Sequence, residues 1–298
     1  MDASYLLKQY DAGRRDFIGV DLRGINLSGV TLIGVDLTGA NLMGADLSRA
    51  FLTSSVLAEA FLNWADLRFA KLSDSNFENA DLTKADLAGA FLVKSNFSRA
   101  KLSGANLSHV NLRSGQLERA NLCGAHLSDS NLRGANLARA NLNWANLSRA
   151  RLSGAVLQDA FLNDVNFRGA YLNGLDLRNI NLNGVNLSQA RLSGANLEGA
   201  NLEQTNLREA KLRGVMMKGA NLSGANLSHA SLNHANLDWS DLSKADLTHA
   251  DLDDAKLLGV KIEGAQISRN SLTDSTRRYL DLLAMNPITP HLLPERSV

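Results

Sequence analysis

The chain has 298 residues, and its 31 Lys and Arg nearly balance its 30 Asp and Glu, which excludes a strong polyelectrolyte of either sign. Hydrophobic residues make up 45% of the sequence, which is enough for a large core and argues against disorder. The single cysteine, Cys123, excludes an intramolecular disulfide and a cysteine-rich zinc site. No apolar run reaches the ~18 residues of a membrane helix and no secretory signal is visible, so we expect a cytoplasmic protein.

Residues 1–15 predict a short helix at the N-terminal end. Either Asp2 or Ser4 is suited to cap its first turn, because both side chains accept hydrogen bonds from free backbone N–H groups. Gly13 is suited to end the helix, since glycine adopts the left-handed conformation that follows many helices. The next segment offers this helix an apolar floor of four large residues: Val20, Ile25, Val30 and Val35.

From residue 17 to residue 272, every fifth residue is apolar, and the register never slips. These 52 central positions hold 45 Leu, two Ile, one Met and four Phe. Two residues before the centre the residue is usually small: it is Ala in 32 and Ser in 5 of the 51 positions from 20 to 270, and most of the others are Val. Two residues after the centre, Gly occurs 21 times. A typical unit is Ala135-Asn136-Leu137-Ala138-Arg139.

A period of five fits neither the 3.6 of a helix nor the 2 of a strand. Each unit must therefore hold a short extended piece, whose small and central residues both point inward, and then a bend at the Gly-rich position. If four such bends of about 90° close one coil, the coil contains about 20 residues, and stacked coils can share backbone hydrogen bonds. The predicted core includes Leu22, Leu27, Leu147, Phe77, Phe97 and Phe167.

With its motif A(D/N)LXX, the chain resembles the pentapeptide-repeat family over roughly residues 16–274. The resemblance implies an all-β solenoid, a right-handed quadrilateral β-helix of about 13 coils. The stretch from Leu6 to Phe17 is similar to the helical cap of cyanobacterial members, among them a regulator of heterocyst differentiation. That similarity implies a cyanobacterial lineage and a function through protein partners.

Residues 275–298 predict a C-terminal helix and a proline-containing tail. Asp274 or Ser275 can cap this helix, which is expected to end near Asn286, before Pro287. The helix covers the open end of the solenoid, or it joins two rods end to end as in some family members. We therefore expect a monomer or a dimer through this cap, and we divide the chain at residues 15 and 274.

An aromatic cluster replaces polar residues at the outward positions of one coil, and a second, less pronounced cluster follows about a hundred residues later. The first cluster comprises Phe51, Val56, Phe61, Trp64 and Phe69, and the second comprises Trp144, Val156, Phe161 and Tyr171. Exposed apolar clusters are typical of partner surfaces, so these residues are the predicted partner site. Local packing along the rod is the alternative interpretation.

Basic and aromatic residues alternate in one column of residues 20 apart. Its basic members are Lys71, Arg151, Arg191 and Lys211, flanked by Arg113, Arg133 and Arg213. Such alternation is found in platforms for single-stranded nucleic acid. Cation–π stacking within the chain and a simple solvated face are the alternatives.

No catalytic constellation is visible, and the unbroken register leaves no inserted loop to build one, so neither an enzyme nor a cofactor is expected. His229 and His249 stack 20 residues apart near several carboxylates, but we expect no metal there. The preferred function is a non-enzymatic scaffold or regulator that presents rigid faces to a protein. The alternatives are nucleic-acid binding by the basic column and DNA mimicry against gyrase, which the near-zero net charge disfavours.

Overall fold

The computed structural model describes residues 1–268. Helix α1 spans Ala3–Asp11, and two short strands, β1 (Asp246–Leu247) and β2 (Gln266–Ile267), pair in parallel. Along residues 16–261, a series of isolated parallel bridges joins bridging residues to partners 20 positions later. The predicted last unit around Leu272, the C-terminal helix and the tail at 275–298 lie outside the described residues.

The bridges divide the rod into four faces, because each coil of 20 residues contains four bridging positions. Face A comprises the units whose bridging residues are 21, 41, 61 and onward in steps of 20. Faces B, C and D start in the same way at residues 26, 31 and 16. The bridging residue precedes the central residue, so its side chain points outward and forms a column along the rod.

The core is a stack of central and small residues along the axis. The predicted inward residues Leu22, Leu27, Leu147, Phe77, Phe97 and Phe167 are all at most 1% exposed. Phe77 and Phe97 stack with ring centroids 4.5 Å apart. Where Ser replaces the small Ala, the hydroxyl of Ser75 donates to the carbonyl oxygen of Leu52 at 2.8 Å. The buried hydroxyls of Ser130 and Ser240 have no hydrogen-bond partner.

Every corner of the coil from residue 19 to residue 264 has a residue with positive φ. Glycine occupies 21 of these corners, and other residues occupy 29 with φ between 53° and 61°. The following N–H donates back to the central carbonyl, as from Ala40 to Leu37 at 3.0 Å, which is the pattern of a type II turn. The left-handed bend is thus a property of the repeat and does not depend on glycine.

Helix α1 packs on the first coil. The carboxylate of Asp2 caps it by accepting from the N–H of Tyr5 at 2.8 Å, and Gly13 follows with φ of 93°. Leu6 is 1% exposed against the core, and the hydroxyl of Tyr10 donates to the carbonyl of Ile33. Within residues 1–268, no helix is long and apolar enough to cross a membrane.

Candidate interaction surfaces

Face A carries four strongly exposed aromatic side chains in two pairs. Phe61 and Trp64 belong to one unit and are 49% and 62% exposed. Trp144 and Phe161 lie on consecutive coils and are 62% and 58% exposed. At ~4.8 Å per coil, Trp64 and Trp144 are about 19 Å apart along the rod. The two pairs therefore form two apolar projections on one side of the molecule.

The surface between the two projections is flat and polar. Lys101 forms an ion pair with Asp81 (Nζ to Oδ2, 3.7 Å), and the amide of Asn141 donates to the side chain of Asn121. Two of the corners in this stretch are glycines, which carry no side chain that could project. A partner that spans both projections would meet few protruding groups between them.

The other predicted members of the aromatic set lie on different faces. Val56 is half-buried on face D, and Phe51 is exposed on face C. Phe69, on face B, places its ring over Gly89, where an added Cβ would be 2.6 Å from the ring. For Phe69 the structure therefore favours the alternative of packing along the rod. The five residues around Phe61 encircle the rod, and only Phe61 and Trp64 share a face.

Trp239 is an exposed tryptophan that the sequence analysis did not single out. It occupies a corner with φ of 61°, is 60% exposed and covers Gly259, as Phe69 covers Gly89. Trp64 and Trp144 occupy corners as well, but the next residues in their column are Lys84 and Asp164. A bulky residue in the left-handed region is strained by ~1–2 kcal/mol. The corner position, two residues after the centre, was the signal that marked Trp239.

The basic column on face C contacts its own aromatic residues. The Nζ of Lys71 lies 3.3 Å from the ring centroid of Phe91. The guanidinium carbons of Arg191 and Arg151 lie 4.5 and 5.9 Å from the ring of Tyr171, which is half-buried. The alternative of cation–π stacking within the chain therefore describes these residues, and Tyr171 is not a free aromatic surface.

Charge is nevertheless segregated to face C. Between residues 71 and 214, its outward positions hold a single acidic residue, Asp74, and eight basic residues: Lys71, Lys94, Arg113, Arg133, Arg151, Arg191, Lys211 and Arg213. Since the whole chain has a net charge of +1 and this stretch of face C has +7, the rest of the chain has a net charge of −6. Face C is the surface that an acidic partner would meet.

The histidines near the C-terminal end form a stack and one polar contact. The rings of His229 and His249 stack with centroids 4.9 Å apart, and Nδ1 of His234 lies 3.6 Å from Oδ2 of Asp254. In the part of the chain that the structure describes, no three His, Cys, Asp or Glu side chains come together as metal ligands.

A cleft of about 620 Å³ interrupts the rod between residues 155–160 and 176–181. The regular ladder would place eight backbone hydrogen bonds between residues 154–165 and 173–186, and none of them forms. Two bridges are missing as well, from Val156 to Asp176 on face D and from Phe161 to Asn181 on face A. Faces B and C stay paired through Asn166–Asn186 and Arg151–Tyr171, so the cleft opens on the D and A sides only.

Large residues at the inward positions that usually hold Ala explain the cleft. Coil 175–194 has Leu175, Ile180 and Val185 where most coils have Ala, and the coil before it contains Val165 and Phe167. Its turn hydrogen bonds lengthen to 3.4 Å at Leu175 and Ile180, against 2.8–3.2 Å where the residue is Ala. Extra volume in a packed core forces neighbouring backbone apart. These residues are visible in the sequence, but the period of five alone does not distinguish them from Ala.

Two equivalent carboxylate–guanidinium pairs differ in their exposure. Arg178 donates to Asp176 on the edge of the cleft (Nε to Oδ1, 2.8 Å), and Arg68 donates to Asp66 in the continuous ladder (2.9 Å). The Asp176 side chain is 58% exposed and the Asp66 side chain 27%. In both pairs the hydrogen bond from arginine lowers the pKa of the carboxyl group below its ordinary 3.8.

The family model described as pentapeptide repeats matches the chain in eight copies, at residues 16–49, 45–83, 60–99, 81–114, 116–154, 150–189, 186–224 and 220–259. A comparison with curated proteins finds no match. Proteins of this family fold as right-handed quadrilateral β-helices.

Several solved structures are similar. HetL, a pentapeptide repeat protein involved in heterocyst differentiation regulation from the cyanobacterium Nostoc sp. strain PCC 7120, is 30% identical over 89% of this chain and 94% of its own, with a TM-score of 0.27. A pentapeptide repeat protein from the Arabidopsis thaliana thylakoid lumen is 30% identical over 38% of this chain and 75% of its own (TM-score 0.29). QnrB1, a plasmid-mediated fluoroquinolone resistance protein, is 18% identical over 90% of this chain and 98% of its own, with a TM-score of 0.29.

Proposed function

Because the chain belongs to the pentapeptide-repeat family, we propose that it is a non-enzymatic, cytoplasmic scaffold that binds a protein partner along face A. The observation that supports this proposal is the pairing of exposed aromatics on one face, Phe61 with Trp64 and Trp144 with Phe161. Tryptophan is enriched among the residues that carry most of the binding energy of protein interfaces, and phenylalanine is enriched in the buried core of such interfaces. The proposed partner is an elongated protein that contacts both projections.

The rigidity of the surface also supports a scaffold. Between the projections, each bridging residue is fixed by backbone bridges to the coils before and after it, as Asn121 is bridged to Lys101 and Asn141. A partner that binds such a surface loses little free energy to ordering of the scaffold. The two projections are therefore held at a constant spacing, which favours recognition of one partner geometry.

The test is an affinity capture from lysate of the source cells with three versions of the chain. The first is the wild type, and the second carries Phe61→Ser and Trp64→Ser. The third, a matched control, carries Phe51→Ser and Phe91→Ser, which remove two exposed aromatics from face C. We expect a protein that is retained by the wild type and by the control and is lost from the face A variant.

Each version is first shown to be folded by circular dichroism and by its melting temperature. Identical partner lists from the wild type and the face A variant would contradict the proposal and would assign Phe61 and Trp64 to ordinary packing. Loss of the partner from the control alone would move the binding surface to face C.

Binding of an acidic polymer to face C is the second candidate. It is supported by the charge of face C between residues 71 and 214, where eight residues are basic and one is acidic. Two of the basic residues, Lys71 and Arg191, also contact aromatic rings. A gel shift with single-stranded DNA at low salt, lost as salt rises, would support it. The absence of a shift at low salt would end it. DNA mimicry needs a strongly negative rod, and the net charge of +1 disfavours it.

A further inference from the structure

We propose that the cleft between residues 155–160 and 176–181 binds an extended peptide segment of a partner protein, which adds a strand to the interrupted ladder. The cleft borders Phe161 of the second aromatic pair, but it uses unpaired backbone groups and not the exposed rings, so it goes beyond the function proposed above. A solenoid normally offers free strand edges only at its two ends. Here two edges are free in the middle of the rod.

The backbone groups at the two edges of the cleft are those that a parallel strand would need. On the N-terminal edge, the N–H groups of Leu157, Asp159, Leu162 and Asp164 have no partner, in contrast to the equivalent groups one coil earlier. On the C-terminal edge, the N–H groups of Asp176 and Asn181 are equally unpaired. An extended peptide between the edges can bond to both, whereas water or a small molecule satisfies them only separately.

The interior restricts which side chains the peptide can carry. Leu175 and Ile180 already occupy the small inward positions, and Ala155 lies at 9% exposure on the opposite edge. The cleft volume of about 620 Å³ is in the ~300–1,000 Å³ range of ligand pockets. We therefore expect Gly, Ala or Ser at alternate, inward-facing positions of the peptide, since alternate residues of a strand point to one side.

The charges at the edges define the outward positions of the peptide. Three carboxylates, on Asp159, Asp164 and Asp176, stand against the guanidinium of Arg178. Arg139, on the preceding coil, is 3.6 Å from Asp159 and leaves Asp164 as the most isolated negative charge. A peptide with Lys or Arg at outward positions complements this excess.

The test first selects heptapeptides that bind the full-length wild-type chain from a displayed random library. The selected heptapeptides are then synthesised, and their binding affinities are measured. The comparison protein carries Leu175→Ala and Ile180→Ala, which remove the extra interior volume and are expected to close the ladder. The control carries Val110→Ala and Val215→Ala, the same kind of truncation at positions where the ladder is continuous. We expect peptides with small alternate residues and basic charge that bind the wild type and the control at least tenfold more tightly than the comparison protein.

Hydrogen exchange locates the binding. In the free wild type, the amides of Leu157 and Leu162 should exchange at least tenfold faster than those of Leu137 and Leu142, and a bound heptapeptide should slow them at least tenfold. Equal exchange in the free protein, or peptides that bind wild type and comparison protein alike, would overturn the proposal. Both results leave the capture experiment on face A unaffected.

A second variant tests the proposal if the comparison protein unfolds, or if its amides at Leu157 and Leu162 still exchange rapidly. Asn181→Pro removes one unpaired N–H of the cleft, whereas Asn141→Pro removes an N–H that donates to Ala120 at 2.9 Å. We expect Asn181→Pro to fold with a melting temperature nearer the wild type than Asn141→Pro and to bind the heptapeptide several-fold more weakly. Unchanged binding by a folded Asn181→Pro chain would overturn the proposal.

Discussion

Coil 155–174 pairs with the coil before it on all four faces but with the coil after it on only two. Its earlier neighbour has Ala135, Ala140, Ala145 and Ala150 at the small positions, and its later neighbour has Leu175, Ile180, Val185 and Ala190. The backbone chemistry is the same at both interfaces. The difference therefore lies in the interior volume, which decides whether the coils approach closely enough for the ladder to form.

The first coil shows that bulk alone does not open the ladder. Val20, Ile25, Val30 and Val35 occupy its small positions, yet the N–H of Asn41 still donates to the carbonyl of Val20 at 2.9 Å. The next coil contains Ala40, Ala45 and Ala50 at the same positions and leaves room for these side chains. Coil 175–194 is likewise paired with the coil of Ala195 and Ala200 on its other side. The ladder opens where the coil of Leu175, Ile180 and Val185 follows a coil that is itself enlarged by Val165 and Phe167, so that two bulky coils are adjacent.

The largest expected effect is a charge buried in the closed part of the column. Leu147→Lys places an ammonium where the wild-type side chain is fully buried, and we expect a loss of at least ~3–5 kcal/mol of unfolding free energy. Leu177→Lys, at the cleft, should cost less, because Leu177 is 4% exposed and its ammonium can reach water. Urea unfolding of both variants measures the difference. A native stability for Leu147→Lys would refute its inward position.

The inward positions could be predicted from the sequence, but the cleft that distinguishes the two regions could not. The period of five fixes which residues point inward, and it identified Leu147 and Phe77 as core because no other arrangement keeps the register. The position of Trp64 and Trp144 on one face needed the 20-residue coil as well. The cleft depends on the summed volume of two coils, and a rule that treats each unit separately does not contain that sum.

The rule of two adjacent bulky coils can be tested by creating a second opening. Ala195→Leu with Ala200→Ile makes a third bulky coil beside Leu175 and Ile180. We expect a loss of ~1–3 kcal/mol from overpacking and faster hydrogen exchange at the amide of Leu177, which now donates to Asn196. Unfolding free energy and hydrogen exchange measure the two effects.

Ala225→Leu with Ala230→Ile is the matched control, because its neighbours at these positions are Thr205, Ala210, Ala245 and Ala250. It adds the same volume between two coils of small residues, so its ladder should stay closed, as the ladder of the first coil does. If both double variants open the ladder equally, the amount of bulk in one coil is what matters, and the adjacency of two bulky coils is not.

A smaller effect is expected at the buried serines, which occupy the same inward positions as Ala. Ser130→Ala should leave the protein unchanged or stabilise it by up to ~1 kcal/mol, because the buried hydroxyl of Ser130 has no partner. Ser75→Ala should destabilise it by ~0.5–1.5 kcal/mol, because that hydroxyl donates to the carbonyl of Leu52. The melting temperatures of the two variants should move apart, and a parallel fall would contradict the assignment of Ser130 as unpaired.

The smallest expected effect compares the ion pairs of the two regions. The hydrogen bond from Arg68 lowers the pKa of Asp66 below 3.8, so the pair stabilises the fold above that pH and loses its contribution as pH falls through the lowered pKa. Asp66→Asn should therefore reduce the unfolding free energy by less than ~1 kcal/mol at pH 7 and by a smaller amount at pH 2. The pKa of Asp176 is lowered in the same direction by Arg178, but its carboxylate is 58% exposed and water screens the pair. Asp176→Asn should accordingly change the difference between urea unfolding at pH 7 and pH 2 less than Asp66→Asn does. Equal changes would mean that burial on the continuous ladder adds nothing to the strength of this pair.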